Sequence, residues 1–459
     1  MKKRISMFLV CLLVPVFALV VSGCKKDEPA GNINPPPEPP YEINNTPFDN
    51  VPATEDIVMY EVNFLAYSST LDINGVTAKL DSFVNLGVNV IWLMPIHPIG
   101  EINSVNSPYS VQNYTEVNPD LGTLEDLRIL VSKAHDRDMA VILDWVGNHT
   151  AWDNPWIENS DWYTQDEYGN IISPNPEWQD VADLNFDNEE MRLEMIKSMK
   201  YWITNANVDG FRCDAADFVP FDFWQQAIDS LENIPGRDLI FLAEGDRVNH
   251  LTAGFHLIWG WDLINSLRNI FAVRSASGVF ETVEDEYTGV PEGKHRLYYI
   301  TNHDVYAWEG TVVEYFNSPE GSVAAFVIAA FIRGVPLLYN GQEIANPTNI
   351  AFFGPNPLNW NQNPDIYADY LKIMTARKSL DAVTKGDLVS YDDDDIAAFK
   401  KVTDSQEVLV LVNVRNSNVT YTIPAELEGT TWENTIDNSD VTLSGNYSFS
   451  PYEYLILND

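Results

Sequence analysis

Three carboxylates stand at the ends of separate apolar runs in this chain. Asp214 closes VDGFRCD, Glu244 follows LIFLA, and Asp304 comes after LYYIT and the pair Asn302-His303. Other hydrogen-bonding residues gather at matching places: Asp144, Asn148 and His149 after MAVIL, and Arg212 two residues before Asp214. Hydrolysis of a glycosidic bond uses a pair of carboxyl groups flanking that bond, so acids at successive strand ends are the supply such chemistry needs. In so acidic a chain a single acid at a strand end arises easily by chance. Three acids, two His and one Arg together do so less easily.

The elements that must hold these residues are legible as alternating patterns. From about Asp56 the run IVMYEVNFL leads to a helical pattern through VTAKLDSFVNLG and then to VNVIWLMPI. A helix opened by the cap-like Thr123-Leu-Glu-Asp126 precedes MAVILDWV. A helix near 188–205 then precedes VDGFRCD, one near 222–233 separates it from LIFLAEG, and RLYYITN and GVPLLYN follow later. Alternation of this kind means βα units around a parallel sheet. Seven strands are clear and the less regular FHLIWGW supplies an eighth, so a (β/α)8 barrel is the expected closure, with its chemistry at the C-terminal strand ends. From about Gly386 the helices stop. Short alternating strands such as EVLVLVNV, VTYTIPA and EYLILND predict a small antiparallel β-sandwich over 386–459, which leaves 56–385 for the barrel.

Composition sets the outer limits. The 459 residues are 45% apolar, which excludes global disorder, and 67 acidic against 27 basic residues give a formal net charge of −40. Such a charge repels phosphate backbones and excludes nucleic acid as a natural partner. Thirteen Trp and 21 Tyr fit either large cores or surfaces that stack on sugar rings. At the N-terminus, three positive charges precede an apolar run from Ile5 to Val21 that is short for a membrane span and reads as an export signal. The run ends in Val21-Ser22-Gly23-Cys24, which resembles the lipobox of bacterial lipoproteins. That resemblance implies cleavage after residue 23 and lipidation of Cys24, hence an exported chain anchored to a membrane. No Asp follows the Cys, which favours the outer membrane, and the KKDE run resembles surface-export signals. Residues 24–55 are polar and Pro-rich and read as an extended tether. Cys213 alone then remains as a thiol, and its place between Arg212 and Asp214 points it to the opposite side of its strand, into the barrel wall.

The ordered motifs resemble the α-amylase family of glycoside hydrolases (family 13). Asp144-Trp-Val-Gly-Asn-His149 is similar to the family's first conserved region, Gly210-Phe-Arg-Cys-Asp214 to its second, Glu244 to its third and Asn302-His-Asp304 to its fourth. Asp183-Leu-Asn185 resembles the motif that ends the inserted domain B, here about 148–182, and Tyr109 stands where the family has a tyrosine under the reacting sugar. The Trp residues 145, 152, 156, 162 and 178 cluster around that insert.

The resemblance implies a retaining glycosidase. Asp214 would be the nucleophile, Glu244 the general acid and base with the higher pKa, and Asp304 the third carboxylate on the sugar's hydroxyls. Arg212 would keep Asp214 ionised, and His149, His303 and Tyr109 would bind substrate. Asn148 and Asp183 match positions that bind a structural Ca²⁺ in many members, although a hydrogen-bonded pair would look the same in sequence. No organic cofactor is implied. The expected substrate is an α-glucan cleaved at α-1,4 bonds; the alternatives are a neopullulanase, an oligo-1,6-glucosidase, a transglycosylase, or a glucan-binding lipoprotein without catalysis. Two departures bear on the choice: Asp217 and Phe218 replace the Lys-His pair common in starch-degrading members, and residues 25–55 are too few for the extra N-terminal β-domain of many neopullulanases.

Overall fold

The computed structural model describes residues 44–459. The export signal, Cys24 and most of the expected tether lie outside the described residues. The parallel strands are β1 (Met59–Val62), β2 (Val90–Leu93) and β3 (Ala140–Val146), then, beyond an antiparallel ribbon of β4 (His149–Ala151) and β5 (Val181–Asp183), β6 (Gly210–Asp214), β7 (Ile240–Ala243), β8 (Leu257–Trp259), β9 (His295–Tyr298) and β10 (Val335–Tyr339). They close into a barrel in the order β1-β10-β9-β8-β7-β6-β3-β2. The eight-stranded barrel read from the sequence is therefore the fold, and the irregular FHLIWGW does provide a strand, β8.

Side chains alternate between the barrel interior and the layer under the helices, as the two-residue period of a strand requires. Met59, Val90, Ala140, Ile142, Ile240 and Leu242 share the interior cluster. Their neighbours Tyr60, Ile91, Val141 and Phe241 join the larger core outside. Carried one step further along each strand, the inward set becomes polar: Glu61, Asp144, Arg212, Asp214 and Glu244. Gly210 opens β6 at φ +144°, and a Cβ there would stand 1.9 Å from the Ile240 carbonyl oxygen, so the close approach of β6 to β7 requires glycine. The helix Leu124–His135 begins with the expected cap: Thr123 and Asp126 satisfy each other's backbone N–H groups.

The C-terminal strands are β11 (Asp387–Tyr391), β12 (Ile396–Val402), β13 (Glu407–Asn413), β14 (Val419–Thr422), β15 (Thr431–Asn434), β16 (Ser439–Thr442), β17 (Asn446–Phe449) and β18 (Tyr454–Asn458). They form a six-stranded sheet, β11-β12-β13-β18-β15-β16, and a separate β14-β17 ribbon. One face of the sheet, with Ile396, Leu409 and Leu411, packs with Tyr421 and Phe449 of the ribbon. The other, with Phe399, Val408, Val410 and Val412, merges with the barrel's outer core. Between sheet and barrel lies the helix Pro319–Phe331, buried at every residue from Gly321 on. A helix apolar all round has to be enclosed in this way.

The expected tether is corrected at its C-terminal end. Residues 44–55 are packed, not free: Phe48 stacks on His135 at 4.4 Å between ring centroids, and Asn207 donates to the Thr46 carbonyl at 2.7 Å. No helix among the described residues is long and apolar enough to cross a membrane.

Candidate active site

Arg212 organises the mouth of the barrel. Its Nη1 donates to Asp144 Oδ1 and to Asp214 Oδ1, both at 2.9 Å, and its Nη2 lies 2.7 Å from Glu244 Oε1. Strand register produces this arrangement, because β3 sets Asp144 beside Arg212 and β7 sets Ala243 beside Cys213, so that Glu244 emerges next to Asp214. Trp92 on β2 lies under the guanidinium at 4.8 Å and donates its indole N–H to Asp144 Oδ2 at 3.1 Å.

Exposure sorts the acids. The Asp144 side chain is sealed at 0%, whereas those of Asp214, Glu244 and Asp304 are 12%, 19% and 44% exposed. Asp144 therefore anchors Arg212, and the other three reach a cleft of about 520 Å³ lined also by Tyr109, His149, Trp178, His303, Trp308 and Phe352. Burial pushes Glu244 up to about 7 against the pull of Arg212, with Asp214 and Asp304 adding to the rise. Burial also lifts Asp214 above the ordinary carboxylate range, opposed by Arg212 and reinforced by Asp144. Asp214 takes an aligned N–H from Arg212, while Nη2 faces Glu244 without an aligned hydrogen bond. Of the pair, Asp214 is the better held as an anion.

Local backbone completes the acid's setting. Ala215 follows Asp214 in the left-handed region at φ 45°, ψ 40°, which costs about 1–2 kcal/mol for a residue with a Cβ, and in this conformation its N–H reaches Glu244 Oε2 at 2.7 Å. Tyr109 lies nearly parallel to the His303 ring at 5.6 Å and to Phe352 at 5.7 Å. His149 is buried at the start of β4, its Nδ1 3.2 Å from the Asn148 amide and its ring against Trp178. The structure thus brings Tyr109, His149, Arg212, Asp214, Glu244, His303 and Asp304 into one site.

Residues 66–179 and 175–250 match the sequence model of the alpha amylase catalytic domain. Strands β8 to β10, which lie beyond the matched segments, complete the same barrel. An alpha-amylase from Haloarcula japonica is 27% identical over 84% of this chain, which spans 59% of that protein's length. Alpha-amylase 3 of Dictyoglomus thermophilum is 25% identical over 83% of the chain and is matched over 89% of its own length. Among solved structures, a maltogenic alpha-amylase from Thermotoga neapolitana superimposes with a TM-score of 0.78 at 25% identity, covering 89% of this chain and 99% of that one.

Several residues of the site gain a role only from the geometry. Glu61, Trp92, Ala215 and Phe352 belong to no sequence motif described above, and Asp144 stands there as a strand-end acid and the first residue of a conserved region, without a role of its own. For Glu61 and Asp144 there is a signal: a charged residue inside an apolar run is seldom buried without a partner. Asp217 turns away from the cleft, accepting from His250 at 2.6 Å and from Arg247 at 2.7 Å, while Phe218 is 70% exposed with its edge toward Trp178. Cys213 is fully buried.

Asn148 and Asp183 adjoin across the β4–β5 ribbon, where the Leu184 N–H donates to the Asn148 carbonyl. They offer one amide and one carboxylate toward the six to eight oxygens that Ca²⁺ takes. Among the described residues no group of three or more His, Cys, Asp or Glu could hold a metal ion. The donor set does not by itself make a calcium cage, and no step of the chemistry is routed through one.

Proposed function

We propose that the chain hydrolyses α-1,4-glucosidic bonds of starch, maltodextrins or related α-glucans with retention of configuration. The observation that carries this is the single guanidinium of Arg212 shared by Asp214 and Glu244, two cleft-facing acids of unequal proton affinity. Asp214, the better ionised, attacks the anomeric carbon and forms a covalent glycosyl-enzyme. Glu244, near half-protonated at neutral pH, delivers its proton to the departing oxygen and then takes one from the incoming water. Asp304, the most exposed of the three, is free to hydrogen-bond the sugar's hydroxyls, and Tyr109 supplies the apolar face beneath the ring. The Asp217 and Phe218 departures bear on the acceptor side and leave this core intact.

Incubation with starch, pullulan, cyclodextrin and sucrose, followed by product chromatography and early-time NMR of the new anomeric centre, tests the reading. Maltooligosaccharides released first as α-anomers are expected. β-Anomers would overturn retention, and maltotriose released from pullulan with starch left intact would overturn the α-1,4 preference.

On the sequence of residues 1–24 we further propose that the enzyme is exported and lipid-anchored at Cys24 in the outer membrane, facing outward. Protease treatment of intact cells should degrade it, and a C24A form should leave the membrane fraction. Protection until the outer membrane is permeabilised would overturn outward display.

A further inference from the structure

His303 bridges two acids, Glu61 on β1 and its own neighbour Asp304 beyond β9. Its Nδ1 lies 2.5 Å from Glu61 Oε1 at the end of β1, and its Nε2 lies 3.1 Å from the Tyr109 hydroxyl and 3.4 Å from Asp304 Oδ2. Glu61 is fully buried, and its second oxygen has no hydrogen-bond partner. The direction of the chain beyond His303 follows from what each group can do. Arg212 and Trp92 can only donate, so both oxygens of Asp144 act as acceptors, and the Tyr109 hydroxyl, 3.1 Å from Asp144 Oδ2, spends its one proton there. Toward His303 that hydroxyl can then only accept. With Asp144 ionised, Nε2 carries a proton, and Nδ1 faces a carboxyl group whose pKa burial raises and His303 lowers.

We propose that Glu61 is a positioning residue that holds His303 doubly protonated, so that a fixed positive charge stands between Tyr109 and Asp304 beside the reacting sugar. The role is exerted through His303, since Glu61 itself does not reach the cleft. The charged and titratable groups around the pair are Asp304, Arg212, Asp144, Asp214, Tyr109 and Tyr339. Burial alone would depress the imidazolium, but Asp304 and Glu61 outweigh it and raise His303 to about 10. Trp92 meets the imidazole edge-on at 5.9 Å and shields it from solvent.

The protonation state is measurable without substrate, so the inference can fail while the hydrolytic reading stands, and the reverse. In ¹⁵N-histidine spectra of the full chain, assigned by comparison with H303Q, both His303 nitrogens should stay in the N–H form to pH 9. A neutral His303 at pH 7.5 would overturn the proposal, and this measurement needs no variant of Glu61. In E61Q the hydrogen-bond acceptor remains but the charge is gone, and His303 should titrate at or below about 6.5. Its kcat/KM on maltooligosaccharides, relative to the unaltered enzyme, should then fall about 30-fold between pH 5 and pH 8. A loss equal at all pH values would mark Glu61 as merely structural.

Discussion

His149 and His303 lie beyond the ends of β3 and β9, strands on opposite sides of the closed barrel, and both line the same cleft. Burial pushes His149 down to about 4, and the Asn148 amide donating to its Nδ1 leaves Nε2 to carry the single proton. His303 is just as deeply buried, yet acids on both sides push it up to about 10. One residue type thus gives a neutral donor on the domain B wall and a cation on the opposite wall. The difference lies in the neighbours: an amide, an indole and the Tyr109 backbone carbonyl beside His149, two carboxylates beside His303. A substrate between the walls meets hydrogen bonding on one side and charge on the other.

The largest effect is expected from removing the anion that both walls serve. D214N should lower kcat by about 10⁴-fold or more while the melting temperature stays close to that of the unaltered enzyme, since Arg212 keeps Asp144 and Glu244. Activity within tenfold would remove Asp214 from the nucleophile's role. Next comes the comparison itself. H303Q leaves Glu61 buried without its cation and should cost about 3–5 kcal/mol in chemical denaturation, whereas H149Q, which deletes a neutral donor, should raise KM with little change in stability. Equal destabilisation by the two would erase the contrast.

The pH profile of kcat/KM should be a narrow bell. Glu244 must be protonated to act as acid, so rate falls as pH rises through about 7. Asp214 must be ionised, so rate falls on the acid side, at a pH above the ordinary carboxylate range because burial has raised it. A plateau to pH 9 would contradict the assignment of Glu244. The smallest effect is expected from chelation: Asn148 and Asp183 bring one amide and one carboxylate, so a chelator should barely move the melting temperature. A large drop, restored by Ca²⁺, would put a second cation beside His149.

Much of this site is legible in the amino-acid sequence, and for a definite reason. Chemistry placed at strand ends leaves polar residues directly after apolar runs, and that is how Asp214, Glu244 and Asp304 stand out. Glu61 and Trp92 lie inside their runs, where their inward direction is visible only once the barrel's parity is known. Ala215 gives no sign at all, since its part is played by a backbone N–H in a left-handed turn. The packing of residues 44–55 is hidden for the same kind of reason: a Pro-rich segment looks like a tether until Phe48 is seen on His135. In the C-terminal strands the alternation is plain, but nothing in it tells that both faces of the sheet are covered, one by β14–β17 and the other by the barrel.

The helix Pro319–Phe331, enclosed between barrel and sheet, has a consequence for how the molecule comes apart. Neither side can expose its face of this helix without opening the core of the other, so barrel and sheet should melt together in one calorimetric transition. The sheet is then not a detachable module. A chain cut near Gly386 would present a bare apolar helix to water and aggregate, and a foreign domain grafted there would have to bring its own Phe399, Val408 and Val410 to close the wound.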